Sequence, residues 1–508
     1  MKKTPLELKL TMLPSFLNRI TRHYSQKLQG PVFSAILGPI KWLCLVTAGL
    51  GLSHAQTPLA IQLQFDASLR AEINWTPHSE PSLYTLESID SLNDVWKPVA
   101  PAGQWPNENT SFLDPRASFL PSQRFYRVTA APLPKPNRAR LITFEEVESL
   151  NIQEVEEWFN RIGISAIQAQ TGVKLFYVLY ETIDAFGKSI VASGGVVTPT
   201  GLDEALPLFS FQHSTILDRE MVPSRFSFST LESLLPIFIA SQGFVTIAPD
   251  MIGLGDSPGF HPFLIAETAV NAVTDMLPIA QEIASFEKID TIEEVYLMGY
   301  GEGGHSTMAV HRDLESMENP RFKVIASVPM AGPHDLSELF LEHLLKEDQD
   351  YPQPYILPYL ITAFNNVYSF YEDPIEVFTS EVASRVIPRI NGRSSGESIN
   401  DLLPSRIPRD FLQPAFLDQL LNDHEHPFRI ALRQNDVYDW KPSASLRMYH
   451  CDADETVPKT LSEKALDTFF DNGSSSAELI DPIPVLNHAE CDAISFTSAM
   501  TWIENERN

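Results

Sequence analysis

Residues 294–310 constrain the fold of this chain more than any other stretch, and they read E-V-Y-L-M-G-Y-G-E-G-G-H-S-T-M-A-V. The apolar run 295–298 is typical of a buried strand, and Met308, Ala309 and Leu314 then recur at helical spacing. A cluster of glycines separates the two patterns. Glycine suits a very tight turn, because larger side chains beside it would collide. The stretch therefore predicts a strand, a sharp turn and a helix in immediate succession.

The turn itself, G-Y-G-E-G at residues 299–303, has the form of a nucleophile elbow, G-x-S-x-G. In that motif the central serine is held at the end of the strand, where its hydroxyl attacks a carbonyl carbon. Here the central residue is Gly301, which has no side-chain atom that can attack. The sequence thus predicts the frame of a catalytic site without its nucleophile.

Two downstream segments supply the partners that such a nucleophile needs. Residues 446–458 read L-R-M-Y-H-C-D-A-D-E-T-V-P, in which Asp454 is the predicted acid and Asp452 the near alternative. Residues 486–491 read L-N-H-A-E-C and place His488 in a loop before the last helix. The chain order nucleophile, acid, histidine is the order that accompanies the elbow. The acid would orient the imidazole and stabilise its charged form.

An oxyanion hole is predicted from two backbone N–H groups. One belongs to Ser214, in the strand end F-Q-H-S-T at residues 211–215, where a loop of this kind donates to the oxyanion. The other belongs to Glu302, the residue after the elbow position. These donors would stabilise the negative charge that forms on the carbonyl oxygen during attack.

A rival match to the elbow pattern, G-D-S-P-G, occurs at residues 255–259 with Ser257 at its centre. The residue after a nucleophile must donate its N–H to the oxyanion, and Pro258 has none. No helical pattern opens directly behind it either. Ser306 is a weaker alternative, because it should lie inside the helix. We therefore predict that Ser257 belongs to a structural turn.

Together these motifs, with V-P-S at 222–224, A-P-D at 248–250 and G-L-G at 253–255, resemble the secretory lipase family of the α/β-hydrolase superfamily. The resemblance spans about residues 165 to 505. It implies secreted hydrolysis of carboxylic esters, with lipids or other apolar esters as substrates and with no metal or cofactor. The chain departs from the family at Gly301, where Ser is expected, and at Ser214, where Gly is usual.

The predicted fold class is α/β: an α/β-hydrolase fold, with a mostly parallel sheet and helices on both faces, over residues 145–508. Residues 335–442 interrupt the alternation of strands and helices. They contain 13 Phe and Tyr, ten prolines and two glycines. An insertion at this place projects over the carboxyl edge of the sheet, which predicts a helical cap over an apolar pocket. The alternative is that these aromatic residues only fill the core of the insertion.

The first part of the chain divides into three predicted segments. Residues 1–55 carry a net charge of +6 and end in an apolar run at 42–52 and S-H-A, which is typical of a signal peptide cleaved before Gln56. An uncleaved anchor is the alternative, although 11 apolar residues are too few to span a bilayer unaided. Residues 56–131 predict a small β-sandwich module that precedes the catalytic fold, and 132–144 a Pro-rich linker. A helix is expected at 145–160.

Cys451 and Cys491 remain after the signal segment removes Cys44, and export favours their oxidation. Each stands three residues from a predicted catalytic residue, so contact between acid and histidine would bring the two thiols together. We predict a disulfide between them. Buried free thiols are the alternative.

The net charge and the motifs limit the functions that this chain could have. The net charge of the whole chain is −28, so the part after residue 55 carries −34, and phosphate-rich partners such as nucleic acids would be repelled. We expect a secreted protein, periplasmic or extracellular, with no stable membrane insertion after signal cleavage. It would be of lipase or esterase type and impaired at Gly301. The alternatives are a non-catalytic binding protein for apolar or ester ligands, an exported protein that acts through its β module, and an error at codon 301, since one base separates several Ser codons from Gly.

Overall fold

The computed structural model describes residues 61–65, 71–75, 82–89, 97–99, 110–114, 125–132, 138–161, 168–227 and 230–507. It divides the chain into two units, Met1–Lys135 and Pro136–Asn508. The predicted signal peptide, with Cys44, lies outside the described residues. Within them, no helix is long and apolar enough to cross a membrane.

The described part of the first unit is all β. Its strands are β1 (Ile61–Phe65), β2 (Ala71–Trp75), β3 (Ser82–Ile89), β4 (Lys97–Pro98), β5 (Ser111–Asp114) and β6 (Phe125–Pro132). They form two antiparallel three-stranded sheets, ordered β1-β2-β5 and β4-β3-β6. Side chains from both sheets share one buried cluster that includes Ile73, Trp75, Leu86 and Tyr126. This arrangement is the predicted small sandwich.

The second unit is built on a nine-stranded sheet. Its strands are β7 (Arg140–Leu150), β8 (Val173–Ile183), β9 (Ser189–Pro199), β10 (Leu206–Gln212), β11 (Val245–Pro249), β12 (Thr291–Tyr300), β13 (Lys323–Met330), β14 (Ser445–Tyr449) and β15 (Ala477–Ile480). The spatial order is β15-β14-β13-β12-β10-β11-β9-β8-β7. Strands β10 to β15 run parallel, whereas β7, β8 and β9 pair antiparallel. The mostly parallel sheet matches the prediction.

Helices cover both faces of this sheet, and further helices form the insertion between β13 and β14. They are α1 (Ile152–Arg161), α2 (Leu231–Ser241), α3 (Ala266–Phe286), α4 (Glu302–Ser316), α5 (Leu341–Leu344), α6 (Ile356–Tyr368), α7 (Ser380–Arg385), α8 (Gly396–Asn400), α9 (Pro414–Asn422), α10 (Pro427–Gln434), α11 (Thr460–Asp471) and α12 (His488–Arg507). Residues of α1, α2 and α12 share one core cluster with the strands, and residues of α3 and α4 share another. Each face of the sheet is therefore buried under its own helices.

The structure differs from the sequence prediction at the start of this unit. Residues 140–150 form strand β7, not the end of a linker and the start of a helix, and α1 begins only at Ile152. Most β7 side chains are exposed, so the stretch carries little hydrophobic periodicity. Its backbone pairs antiparallel with β8 through nine residue pairs, with two irregularities in the register. The open edge of the sheet overrides the helical propensity of Glu145, Glu146 and Glu148.

The insertion between β13 and β14 is helical, as predicted, and contains α5 to α10. It has an apolar core of its own, in which Phe364, Phe378 and Phe411 are fully buried. The same cluster also includes Leu217 and Val457, which belong to loops at the carboxyl edge of the sheet. The apolar residues thus fill the core of the insertion and also pack it against that edge. We call the insertion the cap.

Candidate active site

The predicted strand, turn and helix meet at Gly301. Strand β12 ends at Tyr300 and helix α4 begins at Glu302, so a single residue makes the turn. Gly301 has φ 59° and ψ −116°, a conformation that costs other residues about 1–3 kcal/mol. Its N–H donates to the carbonyl oxygen of Met330 on β13 at 3.0 Å. The backbone is therefore that of a strained elbow at the carboxyl edge of the parallel strands.

Close backbone contacts require glycine at three positions around this turn. A Cβ on Gly299 would lie 2.4 Å from the carbonyl oxygen of Gly303, and a Cβ on Gly303 would lie 2.1 Å from that of Gln212 on β10. A Cβ on Gly304 would lie 2.2 Å from the carbonyl oxygen of Met330. Real side chains do not come this close to backbone atoms. The start of α4 therefore packs directly on the ends of β10 and β13.

The predicted acid and base are in contact. His488 Nδ1 lies 2.6 Å from Asp454 Oδ2. The other carboxylate oxygen of Asp454 accepts the N–H groups of Thr456 and Val457 at 2.9 and 2.8 Å. Burial alone would raise the pKa of Asp454, but hydrogen bonds from His450 and His488 outweigh it and hold that pKa well below its usual range. Asp454 is thus an ionised group that orients the imidazole.

Asp452, the near alternative for the acid, points elsewhere. Its side chain is exposed, and its carboxylate faces Lys459 at 3.6 Å. Both aspartates follow β14, and the sequence favours Asp454 because D-x-x-V-P begins there. The loop geometry brings Asp454 to His488 and leaves Asp452 in solvent.

The imidazole of His488 faces the elbow. A Cβ on Gly301 would lie 3.5 Å from His488 Nε2. The hydroxyl of Tyr300 donates to the carbonyl oxygen of His488 at 2.6 Å. A disulfide joins Cys451 and Cys491, whose Cα atoms lie 6.0 Å apart. The bridge ties the loop of the acid to the first turn of the helix that carries the histidine.

The two predicted oxyanion donors lie at the ends of neighbouring elements. The first hydrogen bond of α4 runs from the N–H of His305 to the carbonyl oxygen of Gly301, so the N–H of Glu302 has no partner within the helix. Ser214 follows β10, and its hydroxyl donates to Glu232 Oε1 at 2.5 Å. This bond directs the Ser214 side chain toward α2, where Glu232 lies.

Esterases and lipases of known structure resemble this chain over most of its length. The rice cell wall degrading esterase LipA from Xanthomonas oryzae, in a ligand-bound form, is 26% identical with a TM-score of 0.65, covering 72% of this chain and 95% of that chain. A predicted hydrolase from Legionella pneumophila is 24% identical with a TM-score of 0.67, and the match covers 73% of this chain and 98% of that chain. Candida antarctica lipase A in its closed state is 15% identical with a TM-score of 0.54, and the match covers 74% of this chain and 87% of that chain. No protein-family model and no curated protein matches the sequence.

The chain has the α/β-hydrolase fold. The similar structures and the nine-stranded sheet with helices on both faces confirm the fold predicted from the sequence. The resemblance to esterases and lipases makes this a protein of α/β-hydrolase type.

The side chain of Glu302 forms a buried pair that the sequence did not predict. Its Oε1 lies 2.6 Å from Nε2 of His261, whose Nδ1 lies 2.7 Å from the carbonyl oxygen of Ile252. Burial alone would lower the pKa of His261, but the facing carboxylate outweighs burial and raises it. No motif links two residues 41 positions apart. The pair holds the residue after the elbow against the loop that follows β11.

Neither alternative serine of this α/β-hydrolase lies at the elbow. Ser257 is buried in the loop between β11 and α3, and no helix begins directly after it. Its carbonyl oxygen accepts a hydrogen bond from Arg219 at 2.8 Å, and its N–H donates to Leu254. Ser306 lies within α4. Both positions agree with the structural roles expected from the sequence.

The cap holds two loops of the site through buried tyrosines. The hydroxyl of Tyr351 donates to the carbonyl oxygen of Thr456, two residues from the acid, at 2.8 Å. The hydroxyl of Tyr359 donates to the carbonyl oxygen of Ile216, two residues from Ser214, at 3.2 Å. No sequence pattern marked these tyrosines among the many aromatic residues of the cap. They make the cap part of the site's support.

Space beside the site is small. A cavity that touches Glu302, His261 and Ser306 has a volume of about 10 Å³, which is about one water molecule. A groove of about 720 Å³ lies between α3, α4 and the cap, but none of the predicted site residues lines it. Among the described residues, no group of three or more His, Cys, Asp or Glu side chains could hold a metal ion.

Proposed function

We propose that this protein is a secreted α/β-hydrolase of lipase or esterase type whose ester-hydrolysing activity is impaired because Gly301 occupies the nucleophile position. One observation carries the proposal. The His488–Asp454 pair faces a strained elbow, yet the elbow residue, Gly301, has no side-chain oxygen that could attack. The likeness to the cell wall degrading esterase of Xanthomonas oryzae supports esters as the substrate class.

Secretion is part of the proposal and rests on different features. The first 55 residues have the charge and hydrophobic pattern of a signal peptide. The disulfide between Cys451 and Cys491 fits a protein that folds in an oxidising compartment.

The loss of the nucleophile should greatly lower the rate of ester hydrolysis. Without a serine no acyl-enzyme forms, and His488 can only activate water for direct attack. Removal of a triad serine lowers kcat by about 10⁶-fold in a well-studied protease. We therefore expect hydrolysis of apolar esters by the native protein to be several orders of magnitude slower than by a serine enzyme of the same fold.

Restoring the serine tests the proposal. Gly301→Ser should hydrolyse short and medium nitrophenyl esters at least about 10³-fold faster than the native protein. The elbow already has the required backbone conformation, and His488 is within reach of the new hydroxyl. His488→Ala in the Gly301→Ser background should remove the gain, whereas Ser257→Ala should not. Full activity in the native protein that disappears in Ser257→Ala would refute the proposal.

A second candidate function is a binding protein for apolar or ester ligands. The observation that favours it is that the cap forms hydrogen bonds to both site loops although the nucleophile is absent. A correctly folded Gly301→Ser variant with no activity would favour this candidate. Equilibrium binding of a non-hydrolysable alkyl ether would then measure the proposed function directly.

A further inference from the structure

Ser214 adds a hydroxyl to a site that has none at its elbow. The chain departs from the family it resembles at two positions: Gly301 stands where Ser is expected, and Ser214 stands where Gly is usual. An acyl-enzyme cannot form at Gly301, because this residue has no side-chain oxygen. Ser214 has one, and the groups around that oxygen decide whether it can act as a nucleophile.

Ser214 lies against the elbow. The carbonyl oxygens of Gln212 and His213 lie 2.1 and 2.7 Å from the position that a Cβ on Gly303 would take. The peptide bond after His213 leads directly to Ser214, so Ser214 follows the point where β10 touches the first turn of α4. Its carbonyl oxygen lies 2.7 Å from Nδ1 of His213, and the residue is partly exposed. The hydroxyl of Ser214 is therefore at the edge of the site and open to solvent.

The hydroxyl of Ser214 is paired with a carboxylate. It donates to Oε1 of Glu232 at 2.5 Å, and Glu232 lies in the first turn of α2. A hydroxyl becomes an effective nucleophile when an adjacent base accepts its proton during attack. A carboxylate is such a base, although a weaker one than imidazole. Ser214 and Glu232 therefore form the contact that nucleophilic catalysis requires.

Helix packing brings this pair to the side of the site where the histidine lies. The rings of Phe238 on α2 and Phe496 on α12 are in edge-to-face contact, with centroids 5.4 Å apart. Glu232 and His488 lie in the first turns of these two helices. Burial, followed by the charge of Glu232, raises the pKa of Asp492, one turn after His488, to about 7. The carboxyl groups of α2 and α12 are therefore close enough to influence each other beside the imidazole.

We propose that Ser214 is a nucleophile of this protein, with Glu232 as its general base, and that an ester is hydrolysed through an acyl-enzyme at Ser214. The ester substrate rests on the proposed function. The proposal adds a residual route to hydrolysis that does not use position 301. Because a carboxylate is a weaker base than imidazole, this route is slow, as the impaired activity requires.

The reaction balances with an ester and water alone. Oγ of Ser214 bonds to the carbonyl carbon, its proton passes to Glu232, and the carbonyl π electrons form an oxyanion. The N–H of Glu302, at the first turn of α4, is the candidate donor to that oxyanion. The carbonyl reforms as the bond to the alcohol oxygen breaks, and the alkoxide takes the proton from Glu232. Water then adds to the acyl group and gives its proton to Glu232, and the departing Ser214 oxygen takes that proton back.

An alkyl fluorophosphonate is the probe for the nucleophile, because it forms a stable bond with a serine oxygen that attacks. Native protein treated with this probe and digested should carry the phosphonyl group on Ser214, as located by peptide mass spectrometry. Hydrolysis of nitrophenyl acetate by the native protein should be blocked in proportion to this labelling. A hydroxyl with a purely structural role would give neither result.

Three substitutions in the native background test the assignment of roles. Ser214→Ala and Ser214→Gly should abolish the labelling and lower hydrolysis at least about tenfold. Glu232→Gln keeps a hydrogen-bond acceptor but cannot take a proton, so it should slow both reactions about 100-fold, within the usual contribution of a general base. Ser257→Ala is the matched control and should change neither rate. Circular dichroism checks that each variant is folded.

The Gly301→Ser background separates a nucleophile from a residue that only positions the oxyanion loop. With a serine at the elbow, Ser214→Gly should raise hydrolysis, because glycine is usual at this place in the loop and the tether to Glu232 is removed. In the native background the same change should lower hydrolysis. Equal losses in both backgrounds would mean that Ser214 acts by positioning, and they would overturn the proposal.

Labelling of another residue in the folded native protein, or labelling that persists in Ser214→Ala, would also overturn the proposal. Failure of the underlying function is distinguishable. If Gly301→Ser hydrolyses the ester and is labelled at position 301 while the native protein is not labelled, esters reach the site and only the role of Ser214 is wrong. If neither protein reacts although both are folded, esters do not reach the site and both proposals fail.

Discussion

Removing the disulfide between Cys451 and Cys491 should destabilise the protein and loosen its acid–base pair. The bridge closes a loop with a sequence separation of 40 residues. In the chain-entropy model a loop of this length contributes about 4 kcal/mol to the free energy of unfolding. The same bridge holds Asp454 and His488 together from both sides, because each cysteine lies three residues from one of them.

The measurement compares unfolding by urea with and without dithiothreitol in protein that begins at Gln56 and so lacks Cys44. The reductant should lower the unfolding free energy of the second unit by about 4 kcal/mol. The matched control is Cys451→Ala/Cys491→Ala, whose stability should not depend on the reductant. This design compares one sequence with itself, so no side chain is truncated in the comparison.

The functional effect is read in the Gly301→Ser background. Reduction under conditions where the protein stays folded should lower kcat, because His488 and Asp454 lose part of their mutual restraint. Two free thiols in denatured, unreduced protein would refute the bridge itself. An unfolding free energy unchanged by reduction would refute the argument from loop entropy.

Two further predictions concern the cap. In the Gly301→Ser background, Tyr351→Phe should lower kcat about two- to tenfold with little change in KM, because it loses one hydrogen bond of about 0.5–1.5 kcal/mol to Thr456. The control is Tyr355→Phe, because the hydroxyl of Tyr355 forms its hydrogen bond within the cap. Equal losses of kcat in both variants would contradict a positioning role for Tyr351. Burial raises the pKa of Asp436, at the returning end of the cap, to about 6. Because this value lies above the unfolded one of about 3.9, its contribution to stability is complete below about pH 4 and is lost as the pH rises through 6. The unfolding free energy should fall by about 1–3 kcal/mol between pH 4 and 7 relative to Asp436→Asn, and parallel pH profiles would contradict this.

Much of the architecture was readable from the sequence because its signals are local. Buried parallel strands are short continuous apolar runs, and the run predicted at 295–298 lies within β12. Gly299, Gly303 and Gly304 mark the turn, since each has a backbone atom within 2.4 Å of its Cβ position. The order of elbow, acid and histidine along the chain also placed the candidate site.

Other features depended on contacts that no local pattern encodes. Residues 140–150 are rich in glutamate, and only the open edge of β8 makes them a strand. The sequence favours Asp454 over Asp452 by its D-x-x-V-P pattern, but only the loop conformation brings Asp454 to His488 and leaves Asp452 facing Lys459. The pair of Glu302 and His261 forms because the turn after β12 packs against the loop after β11.

The sequence alone therefore determined the frame of the site, and the tertiary structure decided what surrounds it. A tight turn or a buried strand restricts each residue through its immediate neighbours, so the restriction is visible in the sequence. A hydrogen bond such as that from Tyr359 to Ile216, 143 residues apart, restricts neither residue's neighbours. It exists only because the cap and the sheet have folded against each other.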